Sequence, residues 1–424
     1  MKFESYWLDT APPFTGAQSH PPEGHYDVAV IGGGLTGLSA ARTLARGGAR
    51  VALLEAGRVI GEASGRNGGQ CNTGVAQDYA ALVEQLGREQ AMLHYRSYSE
   101  AVASVEQVIE EEGIACDYLK HGKLKLAAKP EHYDRLARTC EAIRRDVDPD
   151  VALLSREEVR REVDSPIFHG GLWQKNGGQM HMGRFGTGLA EAAVRHGAHL
   201  FEHTPMTGVT REGERYRVTT PDGEFHANNV LLATGASQVG PLNWFRRRLA
   251  PVGSFIVVTE PLSPEQCAQL LPQRRAYVTS RIIGHYFRLT PDDRLLFGGR
   301  ARFAMSGGRS DAKSGEILRR GLSETFPQLG DTPLSHCWGG LVDMSRDRLP
   351  HAGRHDGMYY VMGFSGHGVQ MSVHMGRLLA EMMLGQRQEY PWHSDDWPAI
   401  PGHFGKPWFL PLVGGWYRLQ DRLH

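Results

Sequence analysis

The sequence predicts an α/β chain in two parts, on three grounds. Near the N-terminus, Asp27-Val-Ala-Val-Ile31 is a short apolar run, Gly32 to Gly37 is a tight turn, Leu38 to Arg46 has helical spacing, and Val51-Ala-Leu-Leu-Glu55 is a second apolar run. That is a strand, a turn, a helix and a strand in quick succession. Apolar runs of strand length alternate with helical periodicity along the rest of the chain, with no internal repeat or low-complexity tract. Near the C-terminal end, Met358 to Met362 runs into a second glycine-rich turn, Gly363 to Gly368, and then a helix-like stretch, Val373 to Leu384.

Taken in order, residues 1–25 are rich in Pro, Gly, Ser and His without periodicity, and read as an arm on the surface, with structure beginning at about Tyr26. Asp78 to Glu112 reads as one long helix. Strand-like runs follow at 122–127, 170–173, 216–220, 229–233, 254–259, 285–289 and 295–298. The tail from Phe404 is apolar, but Pro407, Pro411, Gly414 and Gly415 argue against a clean amphipathic helix. A core, a partner subunit or a membrane surface could receive it, and the chain's own surface is the preferred reading.

The 424 residues suffice for two sizeable domains, and 41% apolar with 22% charged residues fits a globular chain. Lys plus Arg (47) equals Asp plus Glu (47), so no overall positive field holds nucleic acid or an anionic membrane. A small molecule is the expected partner. Five scattered cysteines without a CxxC pair read as reduced thiols, and with no secretory signal or membrane-length apolar run in the sequence the expected compartment is the cytoplasm.

A GxGxxG pattern alone is weak in a chain with 52 glycines. Here it leaves a strand, opens a helix, and is followed 18 residues after Gly37 by Glu55 at the end of the next strand. Gly32 permits the turn, Gly34 lets backbone approach a pyrophosphate, and Gly37 lets the helix sit close to the sheet. The helix start at Leu35 and Thr36 then offers free N–H groups to phosphate. Glu55, with Ala56 after it, would accept hydrogen bonds from ribose hydroxyls. A second polar glycine loop, Ser64-Gly65-Arg66-Asn67-Gly68-Gly69-Gln70, follows at once. NAD-binding folds have no general need for it, whereas a flavin needs donors along its ring and ribityl chain, so FAD is the expected dinucleotide.

With these motifs, and with Leu232-Ala-Thr-Gly235, Trp338-Gly-Gly340 and Gly363-Phe-Ser-Gly-His-Gly368, the chain resembles the D-amino-acid oxidase-type flavoproteins, which include glycine oxidase and sarcosine oxidase. Within that family it resembles the gamma-glutamylputrescine oxidoreductase branch, from Ser5-Tyr-Trp7 through Trp416 to Leu423. The resemblance implies a Rossmann-like, discontinuous FAD-binding domain from 26–90, 150–245 and 335–385. A mixed-sheet substrate domain would come from 91–149 and 246–334, with an arm at 1–25 and an extension at 386–424. It further implies non-covalent FAD, with Val209 near the adenine and Ala233, Thr234 and Gly235 along the cofactor. Gly340, Gly363, Ser365, Gly366, His367, Gly368 and Val369 would lie at the flavin.

The activity it implies is oxidation of an amine by hydride transfer to flavin N5, followed by imine hydrolysis to an aldehyde and ammonia. The expected substrate is gamma-glutamylputrescine or a similar N-acylated amine, the alternative is a D-amino acid, glycine or sarcosine, and oxygen or a quinone is the acceptor. One departure separates the two. Where amino-acid-oxidising relatives carry an arginine that clamps the substrate carboxylate, this chain has Val342, although Arg288 or Arg300 could substitute. At the position where sarcosine oxidase-like relatives attach flavin through a cysteine stands Leu341, and Cys337 reads as a structural thiol.

For the substrate face the candidates are His367, Tyr286, His285 and Gln70, with His181 weaker. The series His196, His199, His203 is not read as a metal site. Arg246-Arg-Arg248 reads as a solvated turn.

Overall fold

The computed structural model describes residues 1–299, 308–388, 392 and 397–423. Two eight-stranded sheets organise it. The first runs His351–His355, Met358–Met362, Gly223–Leu232, His25–Ile31, Val51–Leu54, His199–Phe201, and its core pairings are parallel. Val51–Leu54 is buried along its whole length, as a parallel strand covered on both faces must be. An antiparallel hairpin, Gly208–Glu212 with Arg215–Thr220, extends from Gly223–Leu232.

Helix Leu35–Arg46 packs on this sheet and against Gly368–Met383 so closely that a Cβ at Gly376 would lie 2.4 Å from Thr36 O. The Ser39 hydroxyl donates to Val373 O across the same contact. Two glycine-turn helices 330 residues apart in sequence are thereby locked side by side.

The second sheet runs Leu334–Met344, Ala250–Thr259, Leu295–Gly299, His285–Leu289, Ala276–Thr279, Lys123–Leu126, Gly171–Gln174, Ala152–Leu154. It is mixed, because Ala276–Thr279 pairs in parallel with Lys123–Leu126 while its other pairings are antiparallel. The sheet therefore takes Ala152–Leu154, Gly171–Gln174 and Leu334–Met344 from the segments 150–245 and 335–385. Conversely, helix Arg88–Glu112, from 91–149, packs on Gly368–Met383 of the first unit. Partners so distant in sequence are chosen by packing.

Three local readings need correction. The stretch from Asp78 is two helices, Tyr79–Leu86 and Arg88–Glu112, because Gly87 between them adopts φ +82° and turns the chain. The arm is not confined to the surface: Tyr6–Thr10 is helical, Trp7 is completely buried, and Lys2 pairs with His336 at the edge of the second sheet. Two adjacent aromatics are too short a signal for periodicity, yet burying them is worth about 1.5–3 kcal/mol each. The tail forms a helix, Leu410–Leu423. Its proline lies in the first turn, where no intrahelical donor is lost, and tertiary contacts outweigh the cost of two glycines. Among the described residues no helix is long and apolar enough to cross a membrane.

Candidate functional site

At the C-terminal end of His25–Ile31 the backbone turns with Gly32 at φ +113°. A Cβ on Gly32 would lie 2.5 Å from Ala233 O, and one on Gly37 would lie 1.9 Å from Gly32 O, so neither position admits a side chain. Gly34 caps the helix without a side-chain bond, and Leu35 N donates to Ser64 Oγ (3.0 Å). The Glu55 carboxylate accepts from Gly33 N (2.7 Å) and Gly57 N (2.8 Å), and burial raises its pKa. Ala56 beside it is exposed.

Opposite, Ala233 N donates to Ile31 O, Gly235 adopts φ +51°, and the buried Thr234 Oγ1 has no hydrogen-bond partner. A helix start, an acid at a strand end and an orphaned hydroxyl suit a dinucleotide, at the place where open α/β sheets bind ligands. Val209 lies on the hairpin, partly buried and paired with Val218.

The second glycine loop is stapled from several directions. Asn67 donates to Ala63 O and Ser64 O and accepts from Gly69 N (2.8 Å). Its carbonyl accepts from Trp7 Nε1 (2.7 Å), and the Ser5 hydroxyl donates to Gly65 O. Arg66 donates to Gly61 O and Gly339 O, and Trp338 Nε1 donates to Arg66 O (2.9 Å). Gly340 passes so close that a Cβ there would lie 3.1 Å from Arg66 Cβ. Gly69, at φ +67°, presents its carbonyl to Arg288 Nη1 (2.9 Å). Gln70 pairs with Gln179, and its Oε1 accepts from Asn72 Nδ2.

The third loop is organised by a residue the sequence reading passed over, Asp343. Its carboxylate accepts from Gly363 N (2.7 Å), its carbonyl accepts from Ser365 N (3.2 Å), and Oδ2 lies 3.7 Å from where a Gly235 Cβ would be. Desolvation pushes its pKa up to about 6 against the pull of these N–H groups. The one available signal was an acid inside the apolar strand run Leu341-Val-Asp-Met344. Ser365, at φ +53°, also meets Ser345 Oγ (3.1 Å). Gly366 is exposed, His367 caps helix Gly368–Met383 with its ring 5.7 Å from that of Tyr98, and Val369 is buried.

Strand His285–Leu289 separates two candidates. The Tyr286 ring lies over Gly68 (2.7 Å from its would-be Cβ) with its hydroxyl 3.3 Å from Ser254 Oγ. His285 is corrected out of the site, because successive residues of a strand face opposite ways. Its ring packs 4.7 Å from Phe297 and against Gly321 of helix Gly308–Thr325, and burial lowers its pKa to about 4. Arg288, two residues on, shares the Tyr286 face, but its guanidinium is buried against Trp7 (4.9 Å) and donates to Gly69 O and Met180 O. Both Nη atoms bond the loop and its neighbour, while the buried Nε has no hydrogen-bond partner. Arg300 lies outside the described residues.

His181, the weaker candidate, is buried as well. It caps helix Met182–Arg195, lies 4.9 Å from the Trp7 ring, and is held to a pKa of about 4 by burial. His196 meets Glu112, His199 meets the Tyr26 hydroxyl, and His203 stands apart at φ +53°. Of the arginine cluster only Arg247 is exposed: Arg246 bonds Gly240 O and Arg248 stacks on Trp244. Cys337 is buried, with Sγ against Gly315.

The comparisons agree with this geometry. The family described as FAD dependent oxidoreductase matches residues 27–382. A probable oxidoreductase, OrdL, of Rhizobium meliloti is 33% identical, covering 93% of this chain and 92% of its own length. Gamma-glutamylputrescine oxidoreductase of Escherichia coli is 31% identical over 94% and 93% of the two chains. Among solved structures, glycine oxidase from Geobacillus kaustophilus superposes with a TM-score of 0.69 at 23% identity, covering 86% of this chain and 96% of that one. L-amino acid deaminase from Proteus myxofaciens gives 0.72 at 17% identity, with coverages of 91% and 96%.

Proposed function

For a chain that belongs to the FAD dependent oxidoreductase family, we propose oxidation of an amine with no carboxylate beside the reacting carbon, gamma-glutamylputrescine or a similar N-acylated amine. The observation that carries this reading is the missing clamp: Val342 stands at the arginine position, and Arg288 is committed to Gly69 O and Met180 O. The similarity to the Escherichia coli gamma-glutamylputrescine oxidoreductase supports it.

In this reading FAD is held without a covalent bond. Glu55 takes the ribose, the N–H groups from Gly34 to Gly37 take the pyrophosphate, and Thr234 offers its unpartnered hydroxyl alongside Ala233 and Gly235. Ser64 to Gln70, Gly340, and the turn from Gly363 through Ser365, Gly366, His367 and Gly368 to Val369 border the reactive end. Bound there, the flavin supplies an acceptor for the hydride on the carbon next to the amine nitrogen. Tyr286 closes the substrate side over Gly68 and, with Ser254, offers a hydroxyl pair to orient the substrate. A dry aromatic wall lowers the amine's pKa and so favours its neutral, oxidisable form.

The test is anaerobic mixing of the purified yellow protein with gamma-glutamylputrescine, putrescine, glycine, sarcosine and D-alanine while the visible flavin band is followed. Rapid bleaching by gamma-glutamylputrescine alone is expected, and preferential bleaching by the amino acids overturns the reading. Admitting air then distinguishes oxygen from a quinone as the acceptor.

A further inference from the structure

Helix Leu410–Leu423 is amphipathic in the reverse of the usual sense. Its inward side is anchored largely by polar groups. The Asp421 carboxylate accepts from Ile282 N (2.9 Å) and Ile283 N (2.8 Å), Asp421 O accepts from Lys129 Nζ (2.9 Å), and the Tyr417 hydroxyl accepts from Arg348 (3.2 Å). The outward side carries Leu412, Trp416 and Leu419, which are 68%, 58% and 48% exposed. Their spacing of four and three residues aligns them in one stripe.

Exposed Phe404 and Trp408 precede the stripe in sequence, and exposed Ile282 lies beside Asp421. The apolar area left in water is on the order of 600 Å², at the upper end for the largest patch on a monomer.

Two exposed cations accompany this face. Exposed Lys406 precedes the helix, and the Asp421 carboxylate within it is occupied by two backbone N–H groups. Exposed Arg281 adds the second cation, next to Ile282. The chain as a whole is neutral, so this is a local excess. An isologous contact with a second copy would bring basic residues against basic residues. An anionic lipid surface instead receives leucines and tryptophans at its acyl boundary and neutralises the cations around them.

We propose that the outward face of the C-terminal helix docks the protein on an anionic bilayer surface. The helix grips Ile282–Ile283, just before the strand that carries Tyr286, and Arg348, in the loop whose Ser345 meets Ser365. Docking therefore sets the lipid beside the loops of the candidate site.

The test is co-sedimentation of the full-length, flavin-loaded protein with phosphatidylcholine vesicles, with and without phosphatidylglycerol. Binding to the phosphatidylglycerol vesicles, weakened by salt, is expected. The triple variant Leu412→Ser, Trp416→Ser, Leu419→Ser should lose roughly tenfold or more of it while keeping its flavin spectrum. Lys406→Glu, which lies outside the helix, should weaken the preference for anionic lipid even if the triple variant misfolds. No sedimentation with either vesicle, or binding that both variants retain, overturns the proposal. A concentration-dependent dimer in sedimentation velocity that the triple variant abolishes reassigns the face to a second copy.

Discussion

The two ends of the candidate site are built differently. At the first glycine turn, Gly33 meets Glu55 and Leu35 meets Ser64 across fewer than 30 residues. At the second glycine loop, Asn67 is held by Trp7, Gly69 by Arg288, and Arg66 by Trp338 from 272 positions away. A motif whose parts position one another can be read from spacing alone. A loop fixed by remote side chains cannot, because the residues that fix it carry no local pattern.

The sharpest way to break this contrast is Gly37→Ala. The new Cβ would sit 1.9 Å from Gly32 O, a conflict of backbone with backbone that rotamers cannot relieve. Flavin affinity should fall at least about a hundredfold, equivalent to about 3 kcal/mol of strain, and the protein should purify colourless. A yellow variant would mean that the turn is not where the pyrophosphate lies.

Arg288→Met tests the remote end. It leaves Met180 O without its donor, while Gly69 O keeps Met180 N, and should lower unfolding free energy by about 2 kcal/mol in denaturant titrations. Were Arg288 instead a substrate clamp, KM would rise with stability unchanged.

A smaller effect distinguishes the two faces of one strand. Tyr286→Leu should raise KM for the reducing amine by about tenfold through loss of the wall over Gly68. His285→Gln, packed against Phe297, should leave KM and kcat within about twofold. Equal effects of the two changes would undo the assignment.

The smallest expected effect concerns Asp343. Its folded pKa, raised to about 6 from the ordinary 3.8, means that the folded state binds a proton the unfolded state lacks between those values. The associated stability is fully present below about 3.8 and is lost as pH rises through about 6. Asn at 343 stays neutral and still accepts from Gly363 N, so the Tm difference, variant minus parent, should be more positive at pH 8 than at pH 4. A pH-independent difference would show that the carboxyl group is solvated.

Much of the molecule was legible before folding. Strands His285–Leu289 and Met358–Met362 fall where the apolar runs place them, and the helix after Gly363–His367 differs only at its ends. The errors share a cause. Tyr6-Trp7, Asp343 and His285 have burial or orientation set by partners elsewhere in the chain, and Gly87 and Pro411 took local roles that composition does not disclose.

By itself, then, the amino-acid order determined the family, the glycine turn and the place of Glu55 at the strand end, because hydrogen bonds and steric limits there act between near neighbours. Only the tertiary structure decided that the arm's Trp7 and the strand's Arg288 brace one loop, that Asp343 organises another, and that Leu412, Trp416 and Leu419 face outward. Each of these depends on which distant surface a side chain meets, and burial energy is a property of the assembled contact.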